Sequence, residues 1–296
     1  KMRNVFKFLE NGDKVVLRVH RPGYNTRAAI ESELAWMDAL RADAELETPR
    51  ALPGRDGKRV QKLALTGDEA RFAVLFAFEE GIEPQESDDL VEPFRQLGEL
   101  AARCHLHAER WVQPAGFTRL VWTAPAILDR DGLWGDWRVA PGVDQATTVV
   151  LNRLDVTLRE RLAAYGQGAD RFGIIHADMR LANLLIDRGR TKLIDFDDSG
   201  FCWFGYDFAA AISFFEDGSQ VPELRAAWLE GYARHRKLSV EDVESIEALV
   251  MLRRMALLAW IGSHGETELA RRCAPDFAAR TVALAERFLK TGRVTH

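Results

Sequence analysis

Short runs of hydrophobic residues dominate the first eighty positions, and their spacing is typical of β-strands. Val5–Val19 holds two such runs around Asn11-Gly12-Asp13, and strands joined through Asn-Gly form a tight hairpin. The other predicted strands are Arg50–Leu52, Arg59–Leu65 and Phe72–Phe78. The pattern therefore predicts a β-sheet in the N-terminal region.

One stretch among these strands has helical spacing. Its apolar residues recur every three or four positions, at Ile30, Leu34, Met37 and Leu40. Asn25 or Thr26 is placed to cap the first turn of this helix, since both side chains can accept a hydrogen bond from a free backbone N–H.

The pattern changes after Phe78. Glu79–Glu92 carries seven acidic residues and no basic one, with Pro84 inside it, which indicates an exposed connector. We therefore predict two domains, residues 1–80 and residues 81–296.

The second domain is predicted to be mainly helical. Its predicted helices are Pro93–His107, Leu154–Tyr165, Val221–His235, Val240–Ser263 and Pro275–Leu289, and Ser239 suits the N-cap of the fourth. Trp111–Val143 is rich in loop residues and holds four of the eight tryptophans. These tryptophans either shape a binding pocket or pack as ordinary buried rings over the helical core.

Composition excludes several classes of protein. The net charge is -5 and the 40 lysines and arginines are scattered, so no concentrated positive surface for nucleic acid is expected. The most apolar stretch, Ala248–Ile261, is broken by Arg253 and Arg254, so no membrane insertion is expected. Three widely separated cysteines favour a reducing compartment, and we predict a cytoplasmic protein. The oligomeric state is not predicted.

The most informative motif lies between residues 174 and 198. His176, Asp178 and Asn183 form an H-x-D-x-x-x-x-N loop, and Ile194-Asp195-Phe196-Asp197-Asp198 follows it. Two predicted strands flank Asp187-Arg188-Gly189-Arg190, so the hairpin they form brings Asn183 beside Asp195. An amide oxygen and a carboxylate are suitable ligands for Mg²⁺, which also binds substrate phosphates.

These residues resemble the catalytic loop H-R-D-x-x-x-x-N and the D-F-G motif of the protein-kinase-like superfamily. The aminoglycoside phosphotransferase and choline/homoserine kinase-like branch is more similar still, because its motifs read I-D-F-x-D and Y-D-x-A, and this chain has Tyr206-Asp207-Phe208-Ala209. The resemblance implies an α+β, two-lobed protein-kinase-like fold, with an N-terminal antiparallel sheet, one helix and a mainly helical C-terminal lobe.

The resemblance also implies roles for single residues. Asp178 would take the proton of the acceptor hydroxyl, and Arg180 would contact the phosphoryl group in transfer. The implied magnesium ligands are Asn183 and Asp195, and the implied structural supports are His176 and Asp207. In each support position an ordinary buried polar group is the main alternative to a chemical role.

In the N-terminal lobe, Val15–Val19 resembles the kinase strand V-A-I-K, with Arg18 in place of the phosphate-contacting lysine. Its expected helix partner is Glu33, with Glu31 as the rival. Glu79, Glu80 and Gly81 are predicted to pass the adenine edge. The glycine-rich loop of the superfamily has no match in the sequence, so its phosphate contacts are not assigned.

The predicted function is transfer of the γ-phosphate of ATP, with Mg²⁺, to a hydroxyl of a small molecule such as an aminoglycoside, choline or a homoserine-like compound. A protein serine/threonine kinase of the bacterial stress-response type and a non-catalytic nucleotide-binding protein are the alternatives. The negative net charge favours a cationic acceptor. Candidate acceptor ligands are Asp198, Glu266 and Glu268, the last two beside a loop of small residues.

Overall fold

The computed structural model describes residues 3–8, 12, 14–64 and 70–295. A five-stranded antiparallel sheet opens the chain, in the spatial order β1-β2-β5-β3, with β4 also paired to β5. Its strands are β1 (Arg3–Phe8), β2 (Lys14–Val19), β3 (Ala51–Leu52), β4 (Val60–Leu63) and β5 (Arg71–Ala77). The predicted hairpin is confirmed by the pairing of β1 with β2, and Asn11 and Asp13 of its turn lie outside the described residues.

One helix, α1 (Arg27–Asp43), accompanies this sheet. Thr26 caps it, since the Thr26 side chain accepts a hydrogen bond from the Ala29 N–H, whereas Asn25 does not serve as the cap. The predicted apolar positions Ile30, Leu34, Met37 and Leu40 are all buried, as expected for the inner face of a helix.

The rest of the chain is mainly helical, as predicted. Its helices are α2 (Val91–Arg110), α3 (Ala124–Leu128), α4 (Gln145–Tyr165), α5 (Tyr206–Ala211), α6 (Val221–Ala233), α7 (Val240–Ser263) and α8 (Glu268–Thr291). Ser239 caps α7 and forms a capping box with Asp242. Two helices begin earlier than their apolar spacing predicts, because Asp144 caps α4 and Thr267 caps α8 ahead of Pro275.

Helices α2 and α6 approach each other through glycine. A Cβ atom placed on Gly231 would lie 1.8 Å from the Arg95 carbonyl oxygen, and one on Gly98 would lie 2.1 Å from the Trp228 carbonyl oxygen. Only a residue without a side chain allows backbones to pack at this distance. The pair fixes the position of α2, the first helix after the acidic connector.

Two small sheets carry the segments between the helices. The first has the order β6-β10-β7, with β6 (Leu120–Val121), β7 (Phe172–Ile175) and β10 (Gly200–Trp203). The second is the predicted hairpin of β8 (Leu184–Asp187) and β9 (Arg190–Leu193), and its turn residues Arg188 and Gly189 both have positive φ, at 51° and 76°. Two positive φ values are typical of the tight type I′ turn.

The two lobes meet at the connector. Ile82 and Ile186 exchange backbone hydrogen bonds of 3.0 and 2.9 Å, so the chain after the N-terminal sheet is tied to β8. The boundary between residues 80 and 81 stays a prediction. Within the described residues, no helix has the length and apolar character needed to cross a membrane.

Candidate active site

The loop after β7 carries the H-x-D motif, and one buried carboxylate organises its backbone. Asp207, on α5, accepts hydrogen bonds from the Ala177 N–H at 2.7 Å and the His176 N–H at 3.4 Å. These bonds hold Ala177 at a φ of 63°, in the left-handed region that a non-glycine residue adopts only at a cost. His176 Nε2 lies 3.1 Å from the Ile194 carbonyl oxygen, which ties the loop to the Asp195 segment.

His105 supports the same carboxylate from α2. Its Nε2 lies 3.0 Å from Asp207 Oδ2, and its Nδ1 lies 2.9 Å from the Tyr232 hydroxyl. Burial lowers the pKa of His105, so the ring is neutral and donates from Nε2 to the carboxylate. His176 and Asp207 both hydrogen-bond to backbone groups of the site, and their role as structural supports stays a prediction.

Asp178 is held by two arginines. Its Oδ1 accepts a hydrogen bond from Arg253 at 2.5 Å, and its Oδ2 accepts from Arg180 at 3.2 Å and from Asn183 Nδ2 at 2.6 Å. Burial opposes ionisation, but Arg180 and Arg253 hold the pKa of Asp178 below its usual value. The carboxyl is therefore ionised and able to accept a proton. Arg180, implied to contact the phosphoryl group, contacts the Asp178 carboxylate in this structure.

A second buried ion pair links the N-terminal lobe to the Asp195 carboxylate. Arg18 donates to Glu33 at 2.6 Å and to Asp195 at 3.2 Å, and its side chain is nearly inaccessible. Glu33, not its rival, is thus the partner, since Glu31 lies at the surface and pairs with Arg27. Asp195 itself has a φ of 61°, in the left-handed region.

The predicted magnesium ligands fit that role. Asn183 directs its amide nitrogen to Asp178, so among the described residues its Oδ1 has no hydrogen-bond partner. Burial, together with the charges of Asp197, Glu33 and Asp178, raises the pKa of Asp195 despite Arg18. A divalent cation would relieve this repulsion, and an amide and a carboxylate oxygen are ligands that Mg²⁺ accepts alongside phosphate. The described residues contain no ready cluster of three or more His, Cys, Asp and Glu side chains for a metal.

Two cavities flank Asp195. The larger, about 460 Å³, lies between the sheet and the β8–β9 hairpin; its lining residues include Val16, Arg18, Phe76, Phe78, Glu79, Gly81, Glu83, Ala182, Leu185, Ile194, Asp195 and Phe196. Of the predicted adenine-edge residues, Glu79 and Gly81 line it, whereas Glu80 does not. A Cβ on Gly81 would lie 2.8 Å from the Leu185 Cβ, so glycine keeps this edge open.

The smaller cavity, about 230 Å³, lies on the other side of Asp195. Its lining residues include Arg21, Trp134, Asp178, Arg180, Asp195, Asp197, Asp198, Phe214, Arg253, Leu257, Trp260, His264 and Glu266. The predicted acceptor residues Asp198 and Glu266 are therefore present in it, whereas Glu268, in the first turn of α8, is absent from the lining. Asp195 is common to both cavities, and Asp178 lies in the smaller one.

Residues from the loop after β2 bind two carboxylates that line the smaller cavity. Tyr24 donates its hydroxyl proton to Asp198 at 2.5 Å, and Asn25 donates to Asp197 at 2.9 Å. Burial, with the neighbouring charges of Asp178 and Asp197, raises the pKa of the Asp198 carboxyl to about 7. The pKa of Asp197 is instead lowered, because His20 and Arg18 outweigh its burial.

A contact between the lobes borders the same cavity. Arg21 donates to His264 Nε2 at 2.7 Å, and the His264 ring stacks on Trp260 at the end of α7. Burial and the charge of Arg21 lower the pKa of His264, which keeps Nε2 free to accept this bond. The predicted loop of small residues before Glu266 thus faces the N-terminal lobe.

Sequence reasoning missed Arg253 and Tyr24 as site residues. Arg253 is fully buried in α7, donates to the Ala177 carbonyl oxygen and Ser213 as well as Asp178, and lies over the Trp134 ring. A signal was available for Arg253, since a charge inside an otherwise apolar helix needs a buried partner. For Tyr24 the local sequence carries no such signal. Of the tryptophans in Trp111–Val143, Trp134 lines this cavity, whereas Trp111 borders a separate pocket beside α2 and Trp122 and Trp137 are buried.

Comparison with known proteins agrees with this geometry. Residues 2–238 match the family model described as APH, the phosphotransferase enzyme family. A solved structure of a microcompartment-associated aminopropanol kinase is 38% identical, with a TM-score of 0.90 over 99% of this chain and 95% of that one. The curated amicoumacin kinase of Bacillus subtilis (strain 168) is 21% identical over 265 residues, which cover 86% of this chain and 75% of that protein.

A solved amicoumacin kinase in complex with AMP-PNP, Ca²⁺ and Ami is 19% identical, with a TM-score of 0.78 over 100% of this chain and 87% of that one, and shows the shared fold. The implied two-lobed kinase-like α+β fold and the resemblance to aminoglycoside phosphotransferases are thereby confirmed. Since the family model spans most of the chain and the motif residues come together around two adjoining cavities, the chain belongs to the phosphotransferase enzyme family and is a small-molecule kinase-like phosphotransferase.

Proposed function

We propose that the protein transfers the γ-phosphoryl group of ATP, with Mg²⁺, to the hydroxyl of a small amino alcohol. The observation that carries the proposal is the position of Asp195 on the wall shared by two cavities, with Asp178 in the smaller. A nucleotide in the larger cavity and an acceptor in the smaller would meet there. Direct transfer needs this arrangement, because catalysis of phosphoryl transfer depends mainly on positioning and charge stabilisation.

In the proposed step, the acceptor oxygen forms a bond to the γ-phosphorus while the bond from that phosphorus to the bridging oxygen of ADP breaks. The hydroxyl proton passes to Asp178 Oδ2 or Oδ1, and the products are ADP and a phosphate monoester. Asp178 orients the hydroxyl, and Arg253 and Arg180 keep the Asp178 carboxylate ionised. Arg18 holds Asp195 in place, with Glu33 fixing the guanidinium.

Bound Mg²⁺ would supply charge neutralisation of the nucleotide phosphates, with Asn183 and Asp195 as its protein ligands. The complex of a related amicoumacin kinase with AMP-PNP and Ca²⁺ supports a nucleotide and a divalent cation in this fold. Arg18, Glu79 and Gly81 border the proposed nucleotide cavity. Glu80 and Glu268 border neither of the two cavities.

The size and charge of the smaller cavity support a small cationic acceptor. Its volume of about 230 Å³ is below the roughly 300–1,000 Å³ typical of pockets for drug-sized ligands. Its lining has five carboxylates against three arginines, which favours a cation, and the 38% identical relative is an aminopropanol kinase by name. The protein kinase alternative is disfavoured because this relative is named for a small-molecule substrate.

The non-catalytic alternative is disfavoured because the base and both metal positions are present and held together. Free cysteines, two of them buried, are compatible with the reducing, cytoplasmic location that we also propose.

The test is an acceptor panel with ATP and Mg²⁺, read by ³¹P NMR for phosphate monoester and by ADP release. The panel contains 1-amino-2-propanol, 2-aminoethanol, choline, homoserine, an aminoglycoside and a protein substrate. We expect monoester with a small amino alcohol. Asp178→Asn should lower kcat by about 10²–10⁴, the usual contribution of a general base, while ATP binding persists. Turnover of the protein substrate alone, or equal loss of ATP affinity in the variant, would contradict the proposal.

A further inference from the structure

The aspartates that line the smaller cavity differ in whether a basic side chain pairs with them. Asp178 pairs with Arg253 and Arg180, and Asp195 pairs with Arg18. Asp197 Oδ1 lies 3.2 Å from His20 Nδ1 and accepts a hydrogen bond from Asn25. Asp198 has no basic side chain within ion-pair distance among the described residues.

Asp198 is nevertheless rigidly placed. Its Oδ1 accepts the Tyr24 hydroxyl proton at 2.5 Å, and Tyr24 in turn accepts a hydrogen bond from Trp134 Nε1 at 3.3 Å. Its backbone carbonyl oxygen accepts from Trp122 Nε1 at 2.9 Å. Among the described residues Asp198 Oδ2 has no hydrogen-bond partner. A carboxylate fixed beside other carboxylates, with one oxygen unused, is suited to receive a positively charged donor from the cavity.

We propose that Asp198 binds the ammonium group of the acceptor, in a subsite that Tyr24 and Trp134 hold in place, while the acceptor hydroxyl lies at Asp178. The inference rests on the proposed function, because it places a substrate in the cavity of the proposed transfer. It goes further by assigning the selectivity for a charged amine to one carboxylate.

The chemical class of the acceptor follows from this pair of anchors. Asp178 and Asp198 line one cavity of about 230 Å³ and influence each other's charge, so the hydroxyl and the ammonium must be separated by a short carbon chain. A primary ammonium has three N–H donors for Asp198 Oδ2, whereas a quaternary ammonium has none. The expected class is therefore the short primary amino alcohols, ahead of choline.

Glu266 is the competing carboxylate, because it lines the same cavity and has no ion-pair partner among the described residues. It lies at the surface, in the turn before α8, where water screens its charge. Asp198 is better shielded and has a fixed orientation, so its hydrogen bond to a cation contributes more. Glu268, outside the lining, serves as a matched control for Glu266.

The experiment compares 1-amino-2-propanol with 1,2-propanediol, which has the same carbon skeleton and no charge. For the unmodified protein we expect kcat/KM to favour the amine by about 10-fold to 100-fold, the range for a hydrogen bond to a charged group. Asp198→Asn should abolish most of this preference, because kcat/KM should fall far more for the amine than for the diol. Glu266→Gln and Glu268→Gln should change the preference less than about threefold.

The outcomes separate the two proposals. Phosphorylation of the diol as efficiently as the amine by the unmodified protein would overturn the ammonium subsite and leave the kinase assignment intact. Collapse of the preference in Glu266→Gln but not in Asp198→Asn would overturn the assignment to Asp198. If neither compound is phosphorylated, the proposed function fails. Calorimetry then measures the binding of 1-amino-2-propanol to the unmodified protein and to Asp198→Asn. Equal affinities of the two proteins would overturn the ammonium subsite. The measurement on the unmodified protein does not depend on the folding of a variant.

Discussion

Replacing Arg253 by methionine should separate the chemistry of this site from its stability. Arg253 and Arg254 are neighbours on α7 and both are fully buried. Arg253 donates to Asp178 at 2.5 Å, to Ser213 at 3.0 Å and to the Ala177 carbonyl oxygen at 3.2 Å. Arg254 instead pairs with Glu216 and donates to Thr281 at 2.9 Å. The second arginine is therefore a matched control.

The expected magnitudes follow from these contacts. Removing one partner of a buried ion pair costs about 3–5 kcal/mol, and the lower end applies to Arg253→Met, because Asp178 keeps Arg180 and Asn183. At about 2–4 °C per kcal/mol, the melting temperature should fall by at least about 6 °C. Arg254→Met should lose at least as much stability, since Glu216 keeps no other basic partner among the described residues.

The two variants should differ in turnover. Without Arg253 the Asp178 carboxylate and the Ala177 turn each lose one of their anchors, and a misplacement of about 1 Å can lower the rate by about 10²-fold. We expect kcat to fall by about this factor in Arg253→Met, with the ATP KM within about threefold, and to recover in part in Arg253→Lys. Arg254→Met should keep kcat when assayed below its melting temperature. Equal kcat values in the two methionine variants would refute the reasoning, whatever their stabilities.

Three further predictions concern other parts of the molecule. Asp195→Asn should weaken the response of turnover and of nucleotide affinity to magnesium, because one formal charge leaves the proposed metal site; an unchanged magnesium titration with an ATP analogue would contradict this role. Gly231→Ala should destabilise the protein by about 1–3 kcal/mol or more, because its Cβ would meet the Arg95 carbonyl oxygen at 1.8 Å, whereas Gly265→Ala, with no atom within 4 Å, should have little effect in denaturant unfolding. Burial lowers the pKa of His105 in the folded protein. Below about pH 6.5 the unfolded chain therefore binds a proton at His105 that the folded chain does not bind. The free energy of unfolding consequently decreases as the pH falls below that value. The melting temperature should therefore drop more steeply from pH 7.5 to 5.5 than in His105→Gln, and parallel curves would contradict the assignment.

The parts of the site that sequence reasoning recovered are those governed by local geometry. Asn183 and Asp195 come together because a tight turn at Arg188-Gly189 closes the hairpin between them, and turn chemistry is legible in the sequence. The strands β7 and β10, which flank this motif, were not predicted. Their runs are only four residues long and without alternation, so periodicity could not identify them.

The site residues that sequence reasoning missed are placed by contacts between distant parts of the chain. Arg253 reaches Asp178 across 75 positions of the chain, and Tyr24 reaches Asp198 across 174. No local pattern encodes such pairs, because they arise from how α7 and the loop after β2 pack against the catalytic loop. Glu266 and Glu268 show the same limit, since residues only two positions apart differ in whether they line the cavity.

If the nucleotide and the acceptor bind as proposed, the contact of Asp195 with both cavities makes the protein suitable for a bisubstrate inhibitor. An adenosine phosphate chain joined covalently to a short amino alcohol would occupy the 460 Å³ and 230 Å³ cavities at once. Once one half is bound, the other is held near its own cavity at a high effective concentration, so the affinity of the joined molecule can exceed that of either half by about 10²–10⁴. The length of the phosphate linker that binds most tightly would then measure the distance between the two substrates in the working enzyme.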